Sequence, residues 1–334
     1  MKKTYYIFQN GTLARKDNTI YFENDERKRF IPVEDIGDIY IFGEIDLNKR
    51  LLDFLAQKEV CLHFFNYHGY YTGTFYPREH LNAGFVVVKQ AEHYLHSEKR
   101  LGLALRFVAG AIGQMMQVLR YYRNRTEDPS GRISYNIDVL ESNASRLKDA
   151  SSIEEAMAVE GHCREAYYAA FDSILNHPDF VFERRSKNPP LNRLNALISF
   201  GNAICYTTVL SEIYKTYLDP RIGFLHSTNF RRFTLNLDVA EIFKPIMVDR
   251  LIFTLINKRM ISKKHFDKLT EAILLTEEGR KIFITELEKR MQTTVSHRHL
   301  GKSVSYRRLI RLELYKLQKH ILGEKDYLPY KSLW

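Results

Sequence analysis

Two acidic side chains of this chain stand where helical spacing calls for apolar ones, and a loop histidine precedes the second. On a helix each residue turns about 100°, which puts Ile153, Ala156, Tyr167, Phe171 and Ile174 within about 40° of Glu160, and Met157 and Cys163 within about 60°. The same construction puts Leu237, Val248, Ile252 and Leu255 within about 40° of Glu241, with Asp238 about 60° away. A buried carboxylate without a partner costs several kcal/mol or takes up a proton, so each glutamate must face a cation, a basic side chain or a wet cleft. Two readings stay open from spacing alone. Either Glu160 pairs with Arg164, one turn away, and Glu241 with Lys244, or the two carboxylates hold a divalent metal.

His226 favours the second reading. Asp219-Pro220 ends a helix, Gly223 permits a tight turn, and the imidazole arrives just before the acidic helix. Two carboxylates and one imidazole suit Mn²⁺ or Mg²⁺ better than a thiol-seeking metal, and Asp238 is either a further ligand or the residue that orients one. Glu160, His226 and Glu241 are thus the candidate catalytic and metal-binding residues. Glu154 and Glu155 need no such role, because they follow Ser151 and Ser152 in the first turn of a helix, where a capping box accounts for them.

The elements that must position these residues fall into two regions. Up to about Gly84 the sequence reads as short strands, with β-branched and aromatic clusters at Thr4–Phe8, Thr19–Phe22, Ile36–Phe42 and Val60–Phe65. Asn10-Gly11 is a hairpin signal, and Asn48–Lys58 has a helical pattern. From about Gln90 the pattern becomes helical, with helices expected to Arg120 and at Ile137–Leu147, Ser152–Leu175, Leu191–Leu218, Leu237–Asn257, Leu274–Thr293 and Val304–Leu322. The expected class is α+β in two domains: a β domain over 1–84, a linker at 85–90 and a larger α-helical catalytic domain over 91–334.

The 334 residues are 45% hydrophobic and carry a formal charge of +10, enough apolar content for a substantial core and a balance that favours a polyanionic partner such as nucleic acid. Cys61, Cys163 and Cys205 are too few and too widely spaced for a disulfide framework or a CxxC zinc site. The basic N-terminus meets the polar Gln9-Asn10-Gly11 turn too early for a secretory signal, and no uninterrupted apolar run reaches about 18 residues, so no membrane role and a cytoplasmic location are expected. Basic and aromatic residues interleave at Arg120–Arg125, around Lys258–Lys264, and on the last helix at Arg307, Arg308 and Arg311, groups that can neutralise phosphates without reading bases. No Walker loop, HExxH helix or GxSxG elbow competes with this reading.

Four blocks, in this order, carry a resemblance to a known family: Glu160-Gly161; Arg185–Pro190 with Asn195–Gly201; the DPRIGFLH segment Asp219–His226; and Leu235–Arg250, LNLDVAEIFKPIMVDR. The chain resembles the CRISPR-associated adaptation integrase family, metal-dependent DNA endonucleases known as the "Cas-one" proteins. Asn10–Leu13, Ile31-Pro32, Gly43, Leu62–Phe65 and Gly69 extend the likeness into the β region. Ala240, Ile242 and Lys244 depart from the family's usual residues, and none of them is a proposed ligand. The resemblance implies a small N-terminal β-sandwich-like domain for dimerisation and DNA contact, a helical catalytic domain, and a homodimer. It also implies metal ligation by Glu160, His226 and Glu241, contact of Arg185 and Lys187 with double-stranded DNA, and a small companion "Cas-two" protein. The expected reaction inserts short foreign DNA into a CRISPR array by phosphodiester cleavage and 3′-hydroxyl strand transfer. A catalytically inactive DNA-binding scaffold and an unrelated metal-dependent phosphodiesterase are the alternatives.

Overall fold

The aromatic and β-branched runs of the N-terminal region form eight strands and one helix: β1 (Lys3–Ile7), β2 (Gly11–Lys16), β3 (Thr19–Glu23), β4 (Lys28–Pro32), β5 (Ile36–Ile41), β6 (Ile45–Leu47), α1 (Lys49–Gln57), β7 (Cys61–Phe65) and β8 (Tyr71–Phe75). They make two four-stranded sheets, β1-β5-β7-β8 and β4-β3-β2-β6. Strands β1, β5 and β7 run parallel, and β8 returns antiparallel. Side chains of both sheets, among them Leu13, Ile20, Ile39, Ile41 and Leu62, share one core with Leu51, Phe54 and Leu55 of α1. The Asn48 side chain caps α1 by accepting from the Leu51 amide at 2.9 Å. Asn10-Gly11 is no hairpin. The Gly11 amide donates to the Glu44 carbonyl and the Asn10 side chain accepts from the Glu44 amide, so the chain leaves one sheet and enters the other, with β1 pairing with β5 instead of β2.

The computed structural model describes residues 2–78, 81, 83–228, 233–297 and 301–332, and divides the chain into Met1–Asn82 and Ala83–Trp334. The linker expected at 85–90 is helical. These residues begin α2 (Gly84–Leu95), because Val86 and Gln90 are buried there and the Gln90 amide clamps a distant loop.

The second unit continues with α3 (Ser97–Arg123), α4 (Arg132–Ser145), α5 (Ile153–Ala169), α6 (Phe171–Leu175), α7 (Arg193–Ile213), α8 (Leu235–Lys244), α9 (Arg250–Asn257), α10 (Glu277–Gln292) and α11 (Tyr306–Ile321). Two short hairpins, β9 (Phe266–Lys268) with β10 (Ile273–Leu275) and β11 (Thr294–His297) with β12 (Lys302–Ser305), interrupt regions expected to be coil or helix. Strands of three or four residues leave too little alternation to be read from sequence. The unit is nevertheless mainly helical, and the α+β, two-domain expectation holds.

Helices α3 and α7 are long and apolar enough to cross a membrane by length and composition, with 56% and 83% of their apolar windows buried inside the protein. Leu103, Phe107, Ala111, Met115 and Val118 of α3 are fully buried, the pattern of a core helix. Helix α7 is buried nearly all round, and Gly201 admits its neighbours: a Cβ there would lie 2.4 Å from Val248 Cγ1 and 2.8 Å from the Phe283 ring. The helix expected over Leu237–Asn257 is α8 and α9 joined by one π-helical stretch, Pro245–Asp249. Pro245 cannot donate its backbone nitrogen, and such bulges turn side chains to new directions.

Candidate metal and phosphodiester site

Three stretches of the helical unit meet at the predicted residues. The Ser152 hydroxyl starts α5 by accepting from the Glu155 amide at 3.1 Å, while Glu155 reaches back to the Ser151 amide at 2.7 Å. Ser152 is thus the N-cap, and the expected capping box is displaced by one residue, since Glu155 accepts from Ser151 and not from the cap itself. Two turns on, Glu160 is half-buried at the edge of the buried face, because Ala156, Val159 and Cys163 face inward while Met157 is exposed. Helix α8 is buried almost all round, and Asp238, Glu241 and Lys244 succeed one another at three-residue spacing on it.

The loop bearing His226 is determined from several sides. Gln90 donates to the carbonyls of Asp219 and Ile222 at 2.9 and 2.7 Å and accepts from the Asp219 amide at 2.9 Å. Thr234 accepts from the Gly223 amide at 2.8 Å. A Cβ on Gly223 would lie 2.9 Å from an Asp238 oxygen, so only glycine allows the loop this close to α8.

Asp238 is fully buried, and its Oδ2 accepts from the Phe224 and Leu225 amides at 2.6 and 3.0 Å. Its Oδ1 accepts from the His226 amide at 3.0 Å and ring Nδ1 at 2.8 Å. Four donors fill the lone pairs of one carboxylate, so the option of Asp238 as a direct ligand gives way to the orienting one. A carboxylate that only accepts puts the hydrogen on Nδ1 and leaves Nε2 with a lone pair. Burial opposes a charge on His226, but the Asp238 bond and the charges of Asp238, Glu241 and Glu160 outweigh it and hold its pKa above the ordinary value. The histidine thus feels both glutamates.

The glutamates themselves share a cation. Arg164 Nε and Nη2 donate to Glu160 Oε1 at 2.6 and 2.5 Å, and Nη2 also donates to Glu241 Oε2. Glu241 Oε1 accepts from Lys244 Nζ at 2.6 Å and from the Tyr206 hydroxyl at 3.3 Å, and that hydroxyl accepts from Lys244 at 3.1 Å. Burial pushes the Glu241 carboxyl up, but Arg164 and Lys244 more than offset it and bring it down to about 2. Both ion pairs that spacing offered are therefore formed, and among the described residues no three His, Cys, Asp or Glu side chains form a ready metal cage. The donor set still fits a hard divalent cation. Two carboxylates already converge on one positive group, and an imidazole whose Nε2 has no partner among the described residues stands in their field.

Sequence reasoning missed Tyr206, Gln90 and Asp249. Asp249, the last residue of the π-helix, is 1% exposed, and among the described residues it has no cationic partner, only the Tyr167 hydroxyl beside it. Burial pushes its carboxyl up to about 6 against the pull of Arg164 and Lys244. Ionisation is penalised in the folded state, so stability is greatest below the ordinary carboxylate value and falls as pH rises through about 6. Asp249→Asn is therefore expected to raise stability at pH 8 by on the order of 2–3 kcal/mol, with the advantage vanishing near pH 4. Thermal unfolding of both proteins across that range checks this, and an unchanged or lowered melting temperature at pH 8 would contradict it.

The candidate DNA contacts divide. Lys187 is solvent-exposed as a residue, but its ammonium end is partly enclosed. That enclosure, then the charges of Arg185 and Lys244, holds its pKa below the usual lysine value, against the opposing pull of Glu241. Arg185 is half-buried and spends its donors on Asn195 Oδ1 at 2.8 Å, Ser199 Oγ at 3.1 Å and the Ser186 carbonyl, so it shapes the loop. Arg307 and Arg311 on α11 are not free for phosphate: their Nε atoms lie 3.2 and 2.6 Å from Glu212, which is fully buried on α7. Arg308 alone of those three is exposed.

Fold and site define a two-unit α+β protein with an acidic and imidazole centre in its helical unit, a fold shared by a casposase solved with its integration product (TM-score 0.85, 19% identity, 98% of this chain and 93% of that one). The chain belongs to the Cas1 family: the profile described as CRISPR associated protein Cas1 matches residues 5–289. It is 54% identical over 334 residues to CRISPR-associated endonuclease Cas1 2 of Thermodesulfovibrio yellowstonii, covering 100% of each chain. It is 48% identical to CRISPR-associated endonuclease Cas1 of Thermotoga maritima over 97% of this chain and 98% of that one. A solved Cas1 protein from Thermotoga maritima superposes with a TM-score of 0.89 at 46% identity, covering 98% of this chain and 100% of that one.

Proposed function

We propose that this Cas1 protein is a metal-dependent DNA endonuclease and integrase that inserts short DNA fragments into a CRISPR array. The observation that carries the proposal is the convergence of Glu160 and Glu241 on one cation, within the field of a histidine whose ring Asp238 orients. Glu160, His226 Nε2 and Glu241 would hold Mn²⁺ or Mg²⁺, which when bound supplies a Lewis acid for a phosphodiester oxygen and for the attacking water or 3′-hydroxyl.

The chain's own residues do the rest. Asp238 keeps the hydrogen on His226 Nδ1 and so keeps Nε2 available. Lys244 and Tyr206 fix the Glu241 carboxylate, while Lys187 puts a positive charge where a DNA phosphate would approach. Relatives named endonucleases and the shared casposase fold support the reaction class. Assembly as a homodimer, and with the Cas2 companion seen in a solved Cas6-RT-Cas1–Cas2 complex, belongs to the same proposal. So does a cytoplasmic location, with which the buried free Cys61, Cys163 and Cys205 agree.

One observation favours a second reading, an inactive DNA-binding scaffold: both glutamates already have basic partners. A strand-transfer assay separates the two. Wild-type protein and Glu160→Ala, each with the companion protein, receive short duplex DNA and a supercoiled plasmid bearing a CRISPR leader and repeat, with Mn²⁺ or EDTA. Joining that needs Mn²⁺ and disappears in Glu160→Ala is the expected result. Nicking alone, lost in the variant, would reduce the function to nuclease, and the absence of both would leave the scaffold.

A further inference from the structure

We propose that Asp249 is a positioning residue for the metal site, the internal partner that receives the Arg164 guanidinium when a divalent cation displaces it from Glu160 and Glu241. The inference rests on the metal reading above and adds to it where the displaced charge goes. Arg164 Nη2 bonds both carboxylates, so a metal ion held by both must take its place. The arginine side chain is only 14% exposed, and its remaining nitrogen, Nη1, is buried without a hydrogen-bond partner. A guanidinium in that position stays charged and needs a counter-charge wherever it moves.

Asp249 is the group that lacks one. It is 1% exposed, no cation of the described residues reaches either of its oxygens, and the group beside it is the neutral Tyr167 hydroxyl, which supplies no counter-charge. The strongest charge it feels is that of Arg164. A carboxylate buried with no cationic partner is costly, and Asp249 stands at the end of the π-helix that interrupts the helix carrying Glu241. Of the three carboxylates Glu160, Glu241 and Asp249, a dication on the two glutamates leaves Asp249 as the one not engaged by the metal and so the one open to Arg164.

Calorimetric titration of the full-length protein with MnCl₂ tests this in wild type, Asp249→Asn, Arg164→Met and the double variant. Asp249→Asn is expected to weaken Mn²⁺ binding about 10–100-fold, the usual effect of removing an outer partner of a metal site. In the Arg164→Met background, where nothing needs to be received, the same substitution is expected to change affinity less than about twofold. Wild-type affinity in Asp249→Asn would overturn the proposal, as would an equal loss with and without Arg164, since Asp249 would then act on the metal directly. Where a variant does not fold, the structure of the wild type with Mn²⁺ decides: the guanidinium within about 3.5 Å of Asp249 supports the relay, and a guanidinium in solvent or still on Glu160 overturns it. Wild type that binds Mn²⁺, loses it in Glu160→Ala and keeps it in Asp249→Asn would sink only this inference. Wild type that binds none would sink the metal reading itself.

Discussion

Glu241→Ala is expected to lose strand transfer and nicking by on the order of 10³-fold or more and, unlike Glu160→Ala, to lose several kcal/mol of stability as well. On the proposed metal reading, the activity loss follows from removing an oxygen ligand, since a metal would supply several kcal/mol of charge stabilisation in the transition state. The stability loss follows from what Glu241 holds. Its carboxylate is 8% exposed and pairs with Lys244 at 6% and Arg164 at 14%. Removing one member of a buried pair leaves the other charge unmatched, typically about 3–5 kcal/mol. Glu160 is 20% exposed and shares Arg164 with Glu241, so its loss leaves no buried cation alone.

The pH dependence checks the cause. The Glu241 carboxyl is held down to about 2, so its stabilisation is complete above the ordinary carboxylate value and fades as pH falls toward about 2. The gap in melting temperature between wild type and Glu241→Ala should therefore close on acidification. Equal melting of the two proteins at neutral pH would show that these ion pairs contribute nothing net.

Glu212→Ala is the second large effect, about 3–5 kcal/mol of destabilisation at neutral pH, measured by denaturant unfolding. Glu212 is fully buried on α7 and accepts from Arg307 and Arg311 of α11 and from Lys215, so it ties the last helix to the core. Burial raises its pKa, the three cations outweigh that, and the net shift is downward. Its contribution is thus present above the ordinary carboxylate range and lost below it. The same geometry changes how α11 must be probed for DNA contact. Reversing Arg307 and Arg311 to glutamate would set three negative charges together and damage the fold, so weakened DNA binding in that variant would carry no information. Arg308→Glu, on the exposed side, is the usable probe. It should keep the wild-type melting temperature and, where this face meets DNA, lower the salt slope by about one phosphate.

Much of the site was legible because its signals are local. The Ser152 cap, the glycine-bearing turn before His226 and the three-residue spacing of Asp238, Glu241 and Lys244 all depend on neighbours within a few turns, and the ordered motif blocks pointed to the family. Other readings failed where local pattern met tertiary context. Asn10-Gly11 has the residues of a hairpin, yet β1 finds its partner in β5, and residues 85–90 became helix once Val86 and Gln90 had a surface to cover.

The sequence by itself determined the division into a β region and a helical region, the helix caps, and the ligand candidates Glu160, His226 and Glu241, since these follow from spacing and residue type. Only the tertiary structure decided that Arg164 spans both glutamates, that Asp238 accepts from the His226 ring and its loop, that Glu212 claims two of the arginines expected at DNA, and that Asp249 lies buried without a cationic partner among the described residues. The physical reason is that a charge's role depends on which opposite charge or donor packing brings within a few ångströms and on how much water is excluded there. Periodicity along one helix carries neither.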